Sequence, residues 1–341
     1  MTDSPVPVLD FSQLDAGPEA AARFRADLRQ ATHEVGFFAL TGHGASPALQ
    51  DRLLATARAF FALPDADKLA IENLKSPQFH GYARLGGELT QGRIDWREQI
   101  DIGPGGEPVA VGENDPAYLA LAGPNLWPAN LPELREVIEE WTTHLTVVAR
   151  RLLTAWAESL GADPDDLLRL FDDAPATLLK VVRYPGVPDD APSRQGVGSH
   201  KDSGVLTLLW IEPGSPGLQV EYGGRWFDVP PVDGALVVNI GELLEWATDG
   251  YLRATVHRVV APAEGTERIS VPFFFNPRLD AELPRLQIAD EFRAAARGVE
   301  QDPDNVIHGT YGENLLKSRL RAHPDVAAIH HPQLLEVPAG V

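Results

Sequence analysis

His200-Lys201-Asp202 sets an imidazole and a carboxylate two positions apart at the opening of a strand-like stretch. Side chains alternate along a strand, so His200 and Asp202 are expected on one face with Lys201 on the other, and ligands that share a face can share a metal. His257 stands in Thr255-Val256-His257-Arg258-Val259, an apolar alternating run where a titratable side chain needs a reason to be present. Two neutral imidazoles and one carboxylate make the facial triad of non-haem iron(II), which leaves three coordination positions open for chemistry. Further along, Arg268-Ile269-Ser270 again turns two polar side chains to one face, ahead of Val271-Pro272-Phe273-Phe274-Phe275. An inward guanidinium requires an anionic partner. A 2-oxo acid that chelates the metal and offers its far carboxylate to the arginine satisfies both halves of the pattern and leaves one position for O2. Taken singly, the triplet could be a polar strand mouth and His257 a hydrogen-bonded core histidine; the conjunction is what points to catalysis.

Those groups need a scaffold. Residues 178–184, 205–211, 218–222, 226–229, 235–240, 255–260 and 268–275 read as short strands separated by Gly, Pro and Asp turns, the pattern of a double-sheet jelly roll. Ahead of them, Leu134, Val137, Ile138, Trp141, Leu145, Val148, Leu152 and Trp156 recur at steps of three and four, which predicts a long amphipathic helix with one buried face. In the first third, 6–11 reads as extended, 19–35 as helix and 36–40 as a buried strand, and a further helix begins at Ser46-Pro47, where Ser can cap and Pro suits the first turn. The Gly and Pro density of 103–132 predicts loop, and helix returns over 311–321. The expected fold class is α+β, a double-stranded β-helix (jelly roll) core flanked by N-terminal and C-terminal helices. Residues 1–130 form an N-terminal region and 131–341 the catalytic region, the two expected to pack as one compact unit.

Composition narrows the chemistry. Lys+Arg 29 against Asp+Glu 49 gives a net charge of −20, a field that repels phosphate backbones and anionic membranes, so neither is an expected partner. With no cysteine, any metal must be held by His, Asp or Glu. Met1-Thr2-Asp3-Ser4-Pro5 lacks a basic stretch followed by an apolar one, which favours a cytoplasmic protein.

Across nearly its whole length the chain resembles the isopenicillin N synthase-like branch of the iron(II)/2-oxoglutarate-dependent dioxygenases. The resemblance is carried by Val8-Leu9-Asp10-Phe11, by Gly36-Phe37-Phe38-Ala39-Leu40-Thr41-Gly42-His43-Gly44 and by Ala59-Phe60-Phe61-Ala62-Leu63 in the leading region. In the later part it rests on His200-x-Asp202, Asp249-Gly250 ahead of His257, and Arg268-x-Ser270. The resemblance implies that His200, Asp202 and His257 bind iron(II), that Arg268 and Ser270 hold the 2-oxoglutarate tail, and that Tyr184 also reaches the cosubstrate carboxylate. Val182 departs from the pattern, standing where many plant members have Asn. The implied reaction is oxidation of a small amino-acid-derived or natural-product substrate, by hydroxylation, desaturation or cyclisation, with release of succinate and CO2. Two rivals share these residues: an iron oxidase of the isopenicillin N synthase type that consumes no 2-oxoglutarate, and a non-catalytic jelly roll that binds metal or ligand.

Strand period nominates substrate contacts. Lys180 shares a face with Tyr184, where it would pair with a substrate carboxylate unless it is a surface lysine on an edge strand; Phe274 and Asn276 share one with Arg268 and Ser270. Arg84, Arg93 and Trp96 read as loop surface rather than a closure over the pocket, and His43, His80 and His308 as structural.

Overall fold

The computed structural model describes residues 4–188, 190, 193–299 and 305–335, so the N-terminal residues 1–3 lie outside it. Fourteen strands are present among the described residues. In chain order they are β1 (Val8–Asp10), β2 (Phe37–Thr41), β3 (Gly81–Ala83), β4 (Leu89–Thr90), β5 (Arg93–Ile94), β6 (Glu98–Ile102), β7 (Leu178–Pro185), β8 (Gln195–His200), β9 (Leu206–Ile211), β10 (Leu218–Tyr222), β11 (Arg225–Asp228), β12 (Leu236–Ile240), β13 (His257–Val260) and β14 (Glu267–Phe275). The major sheet runs β1-β2-β12-β9-β14-β7-β6-β3, the minor sheet β11-β10-β13-β8, and β4-β5 is a hairpin.

Alternation along the major sheet sorts the side chains into two environments. On β14, Ile269, Val271, Phe273 and Phe275 face outward into the main hydrophobic core, while Arg268, Ser270, Pro272 and Phe274 line a cavity on the other side. The long helix Glu133–Ser159 covers the outer face. Its stripe, Leu134 through Trp156, is buried as the three-and-four spacing predicts, and Trp156 donates from Nε1 to Thr32 Oγ1 at 3.1 Å. Val182 and Ile211 of the major sheet and Val197, Leu218, Val220 and Val259 of the minor sheet form a second apolar cluster. The jelly roll and its flanking helices agree with the sequence reading. Ser46 caps the helix Pro47–Phe61 by accepting from the Leu49 amide, and the C-terminal helix spans Tyr311–Ala322. No helix among the described residues is long and apolar enough to cross a membrane.

Three elements differ from expectation. Strands β3 and β6 extend the major sheet from within the first third, which reads as helices around a short strand; β3 is three residues long and β6, Glu-Gln-Ile-Asp-Ile, is rich in charged and amide side chains that are all buried. Strand β8 is Gln-Gly-Val-Gly-Ser-His, too rich in glycine to show a strand signal. His200 therefore closes a strand rather than opening one, and Asp202 lies in the loop beyond it.

Because one face of the long helix meets the sheet and the other meets solvent, substitutions on it should separate cleanly. Leu152→Ala is expected to cost about 2–5 kcal/mol by equilibrium urea unfolding, since Leu152 is fully buried. Val147→Ala, on the exposed face of the same helix, should stay within about 0.5 kcal/mol. Equal effects at the two positions would contradict the packing.

Candidate metal and cosubstrate site

His257 and His200 are directly opposite each other on the antiparallel pair β13 and β8, which brings two sequence-distant imidazoles to a ring separation of 4.3 Å. Each ring is turned by its own backbone. Nδ1 of His200 lies 2.8 Å from the Gly198 carbonyl and Nδ1 of His257 3.0 Å from that of Thr255. A carbonyl can only accept, so each Nδ1 carries the proton and each Nε2 offers its lone pair inward.

Asp202 reaches the same point from a loop. Its carbonyl accepts from the Glu242 amide at 2.8 Å, and the next turn is fixed by Val205 N–H donating to Asn276 Oδ1 and Leu243 N–H to the Gly204 carbonyl. Gly204 is required there, because a Cβ would lie 2.1 Å from Asn276 Oδ1. Asp202 Oδ2 accepts from Thr207 Oγ1 and from Asn239 Nδ2, the latter at 2.7 Å. Oδ1 is left facing Nε2 of His200 at 3.5 Å and of His257 at 3.7 Å. The three ligand atoms lie within 4.8 Å of one another, the one such group of His, Asp or Glu found among the described residues.

Electrostatics suit a cation. Burial alone would raise the Asp202 carboxyl, but electrostatic attraction to His257 and His200 and hydrogen bonds from His200 and Thr207 hold it below the ordinary range. Burial, with His200 beside it, pulls His257 down to about 4, so it is neutral at physiological pH. Burial works the same way on His200 but is outweighed by the hydrogen bond and charge of Asp202, which raise it.

On the cavity wall Arg268 is buried and only partly satisfied. Its Nη1 donates to Ser270 Oγ at 3.0 Å and its guanidinium lies 4.9 Å from the Tyr184 ring, while Nε and Nη2 have no partner. A buried cation with two unpaired donors is costly unless an anion completes it. The donor set (two imidazoles, one carboxylate, no sulfur) fits iron(II), and the half-satisfied arginine fits a carboxylate bound in the same cavity. The cavity, about 1080 Å³, has room for a cosubstrate and a second small molecule.

His200, Asp202, His257, Arg268, Ser270 and Tyr184 all line this one cavity. Of the nominated substrate contacts, Phe274 lines it as expected. Asn276 does too, but its Oδ1 is engaged by the Val205 amide. Lys180 must be reassigned: it is buried on an interior strand between β14 and β6, and its ammonium is held by Glu88 at 2.9 Å and Asp101 at 3.2 Å. It is not a surface lysine: it lines the cavity, with its ammonium already shared by two carboxylates. Arg84 pairs with Glu72, and neither it, Arg93 nor Trp96 lines the main cavity. His43 and His80 bond to backbone carbonyls of Gly234 and Pro124, and His308 lies near Glu313. Sequence reasoning missed Thr207, Asn239, Glu88 and Arg97. Asn239 carried a usable signal, a polar residue inside the apolar run 235–240.

Residues 6–130 match the family model described as non-haem dioxygenase in morphine synthesis N-terminal, and residues 175–277 match that of the 2OG-Fe(II) oxygenase superfamily. The chain is 37% identical to the 2-oxoglutarate-dependent dioxygenase frbJ of Dothideomycetidae sp., over 100% of its own length and 95% of the relative's. It is 30% identical to a homoarginine-6-hydroxylase of Arabidopsis thaliana, covering 91% of this chain and 95% of that one. Among solved structures, a putative 2OG-Fe(II) oxygenase family protein from Caulobacter crescentus superposes with a TM-score of 0.73 at 30% identity, covering 94% and 99% of the two chains.

Cation binding should report this arrangement directly. Because the pKa of His200 is raised, a proton competes with the ion at higher pH than for a free histidine. Anaerobic calorimetry should show iron(II) affinity falling as pH drops from about 8 to about 5, with proton release, and a flat profile would contradict the geometry. Asn239→Ala, which removes one of the two donors that hold Asp202 Oδ2, should weaken the affinity about 10–100-fold.

Proposed function

Since the chain belongs to the iron(II)/2-oxoglutarate-dependent oxygenase superfamily and is a 2-oxoglutarate-dependent dioxygenase acting on a small molecule, we propose that it hydroxylates an amino-acid-derived substrate at the His200, Asp202 and His257 centre. The Arabidopsis relative named for homoarginine supports the substrate class, as does a cavity whose walls mix Phe274, Leu178 and Pro272 with charged side chains. We further propose that 1–130 and 131–341 act as one unit, because strands from both lie in the major sheet.

In this reading His200, Asp202 and His257 hold the metal through Nε2, Oδ1 and Nε2. Bound iron(II) supplies O2 activation coupled to oxidative decarboxylation of 2-oxoglutarate, which releases succinate and CO2. The protein's own part is placement. Arg268 takes the far carboxylate of 2-oxoglutarate with its unpartnered Nε and Nη2, Ser270 orients the guanidinium through Nη1, and Tyr184, whose ring lies 4.9 Å from the guanidinium, reaches the same carboxylate. Thr207 and Asn239 keep Asp202 from rotating as the coordination sphere fills. Val182, fully buried and apolar, gives the cosubstrate no polar contact on β7, so Arg268 bears more of its recognition.

The observation that carries this assignment is the incompletely bonded Arg268 lining the same cavity as the His–Asp–His cluster. Arg268→Gln should raise the 2-oxoglutarate concentration needed for half-maximal succinate release at least about tenfold. An unchanged requirement would remove Arg268 from the cosubstrate site.

A further inference from the structure

Seven cations line the cavity, Arg97, Lys180, Lys201, Arg268, Lys317, Arg319 and Arg321, in a chain of net charge −20. Such a local reversal of sign draws in anions. Most are already engaged. Lys180 is held by Glu88 and Asp101, Arg319 by Asp101 at 2.8 Å, and Lys201 by Glu245 at 3.0 Å. Lys317 donates to the Val306 carbonyl and Arg321 to Asn305 Oδ1, and Arg268 is assigned to 2-oxoglutarate.

Arg97 stands apart from these. Its side chain is only 9% exposed, and both of its ion pairs, to Asp95 at 3.1 Å and Glu88 at 3.2 Å, use a single nitrogen, Nη2. Nε is buried without a partner, and Nη1 makes no hydrogen bond or ion pair to a described residue. The guanidinium is therefore pinned at one corner by two fully or nearly buried carboxylates, with donors left over on a group that lines the cavity. It lines the same cavity as His200, Asp202 and His257. This is the geometry of a preorganised fork: orientation fixed from behind, remaining N–H groups available for a planar oxyanion.

We propose that Arg97 is a specificity-determining residue that binds a carboxylate of the primary substrate, the role sequence reasoning had given to Lys180. The proposal rests on the amino-acid reading above, since an amino acid carries such a carboxylate, but it extends to any small carboxylic acid. Glu88 and Asp95 are positioning residues, acting on substrate only through Arg97. Thr90 Oγ1 donates to Asp95 Oδ2 at 2.7 Å, so the β4-β5 hairpin at the cavity edge is tied to the same anchor.

The test uses the full chain loaded anaerobically with iron(II) and 2-oxoglutarate, whose visible charge-transfer band responds when a compound binds beside the metal. Probes are the proteinogenic amino acids, L-homoarginine and a set of aliphatic and aromatic monocarboxylic acids, each with its methyl ester. Free acids should perturb the band and esters should do so at least about tenfold more weakly, a comparison that needs no variant. Arg97→Gln should raise the Kd of a binding acid at least about tenfold and move that of its ester by less than about threefold, with Arg97→Lys between. If amino-acid esters bind as well as their acids, the Arg97 assignment fails and the amino-acid reading stands. If only acids without an amino group bind, and Arg97→Gln weakens them, the reverse holds. A panel in which no acid perturbs the band, or an Arg97→Gln protein that binds acids as tightly as the parent, overturns the proposal.

Discussion

Asp202 cannot rotate, and most of the site follows from that. One carboxylate oxygen is occupied by Thr207 and Asn239, which sit on adjacent strands of the major sheet and face inward by strand period. The other oxygen must then point at the two imidazoles, which belong to the minor sheet. The centre is thus built across the gap between two sheets, with each sheet fixing its own donors. It exists only while the sandwich stays closed. Packing of the long helix on the outer face, remote as it is, therefore bears on the inner geometry, because it holds the strands that carry Thr207, Asn239 and Arg268 in register.

How much of this was legible in the amino-acid order depends on what each part owes to local pattern. The long helix, the apolar strands and the pairing of Arg268 with Ser270 follow from spacing alone, since period 3.6 and period 2 are written in the residues themselves. The cluster His200, Asp202 and His257 was legible by type. The reason given for the first two was not the one the fold uses: they are brought together by a strand end and a hydrogen-bonded turn rather than by alternation along one strand. Strand β8 was invisible because its glycines erase the period, and its pairing with β13 is a long-range fact. Lys180 was misread for a related cause. Its partners Glu88 and Asp101 lie far away in sequence, in a stretch to which the sequence reading gave no strand, so nothing local announced that its charge was already matched.

Two parts of the cavity lining differ in kind. Around the proposed metal ligands, groups are neutral or singly charged and oriented by backbone carbonyls, which suits an ion that brings its own charge. Elsewhere the lining includes Glu88, Arg97, Lys180 and Arg319, members of a buried ionic layer that Asp95 and Asp101 complete. A layer of this sort adds little net stability, because desolvation offsets much of the attraction, but it holds every member to one orientation. That rigidity is what a recognition surface needs, and it leaves selectivity to the few donors the layer does not use.

Arg319 meets Asp101 across 218 residues of chain. During synthesis, Asp101 and Lys180 are both present long before the segment bearing Arg319 leaves the ribosome, so until then the layer carries an acidic group short of its second cation. The last long helix therefore does more than roof the cavity: its arrival neutralises a buried charge made much earlier. A chain that ends before Arg319 would leave Asp101 with Lys180 as its one cation, and β6 held less firmly for it.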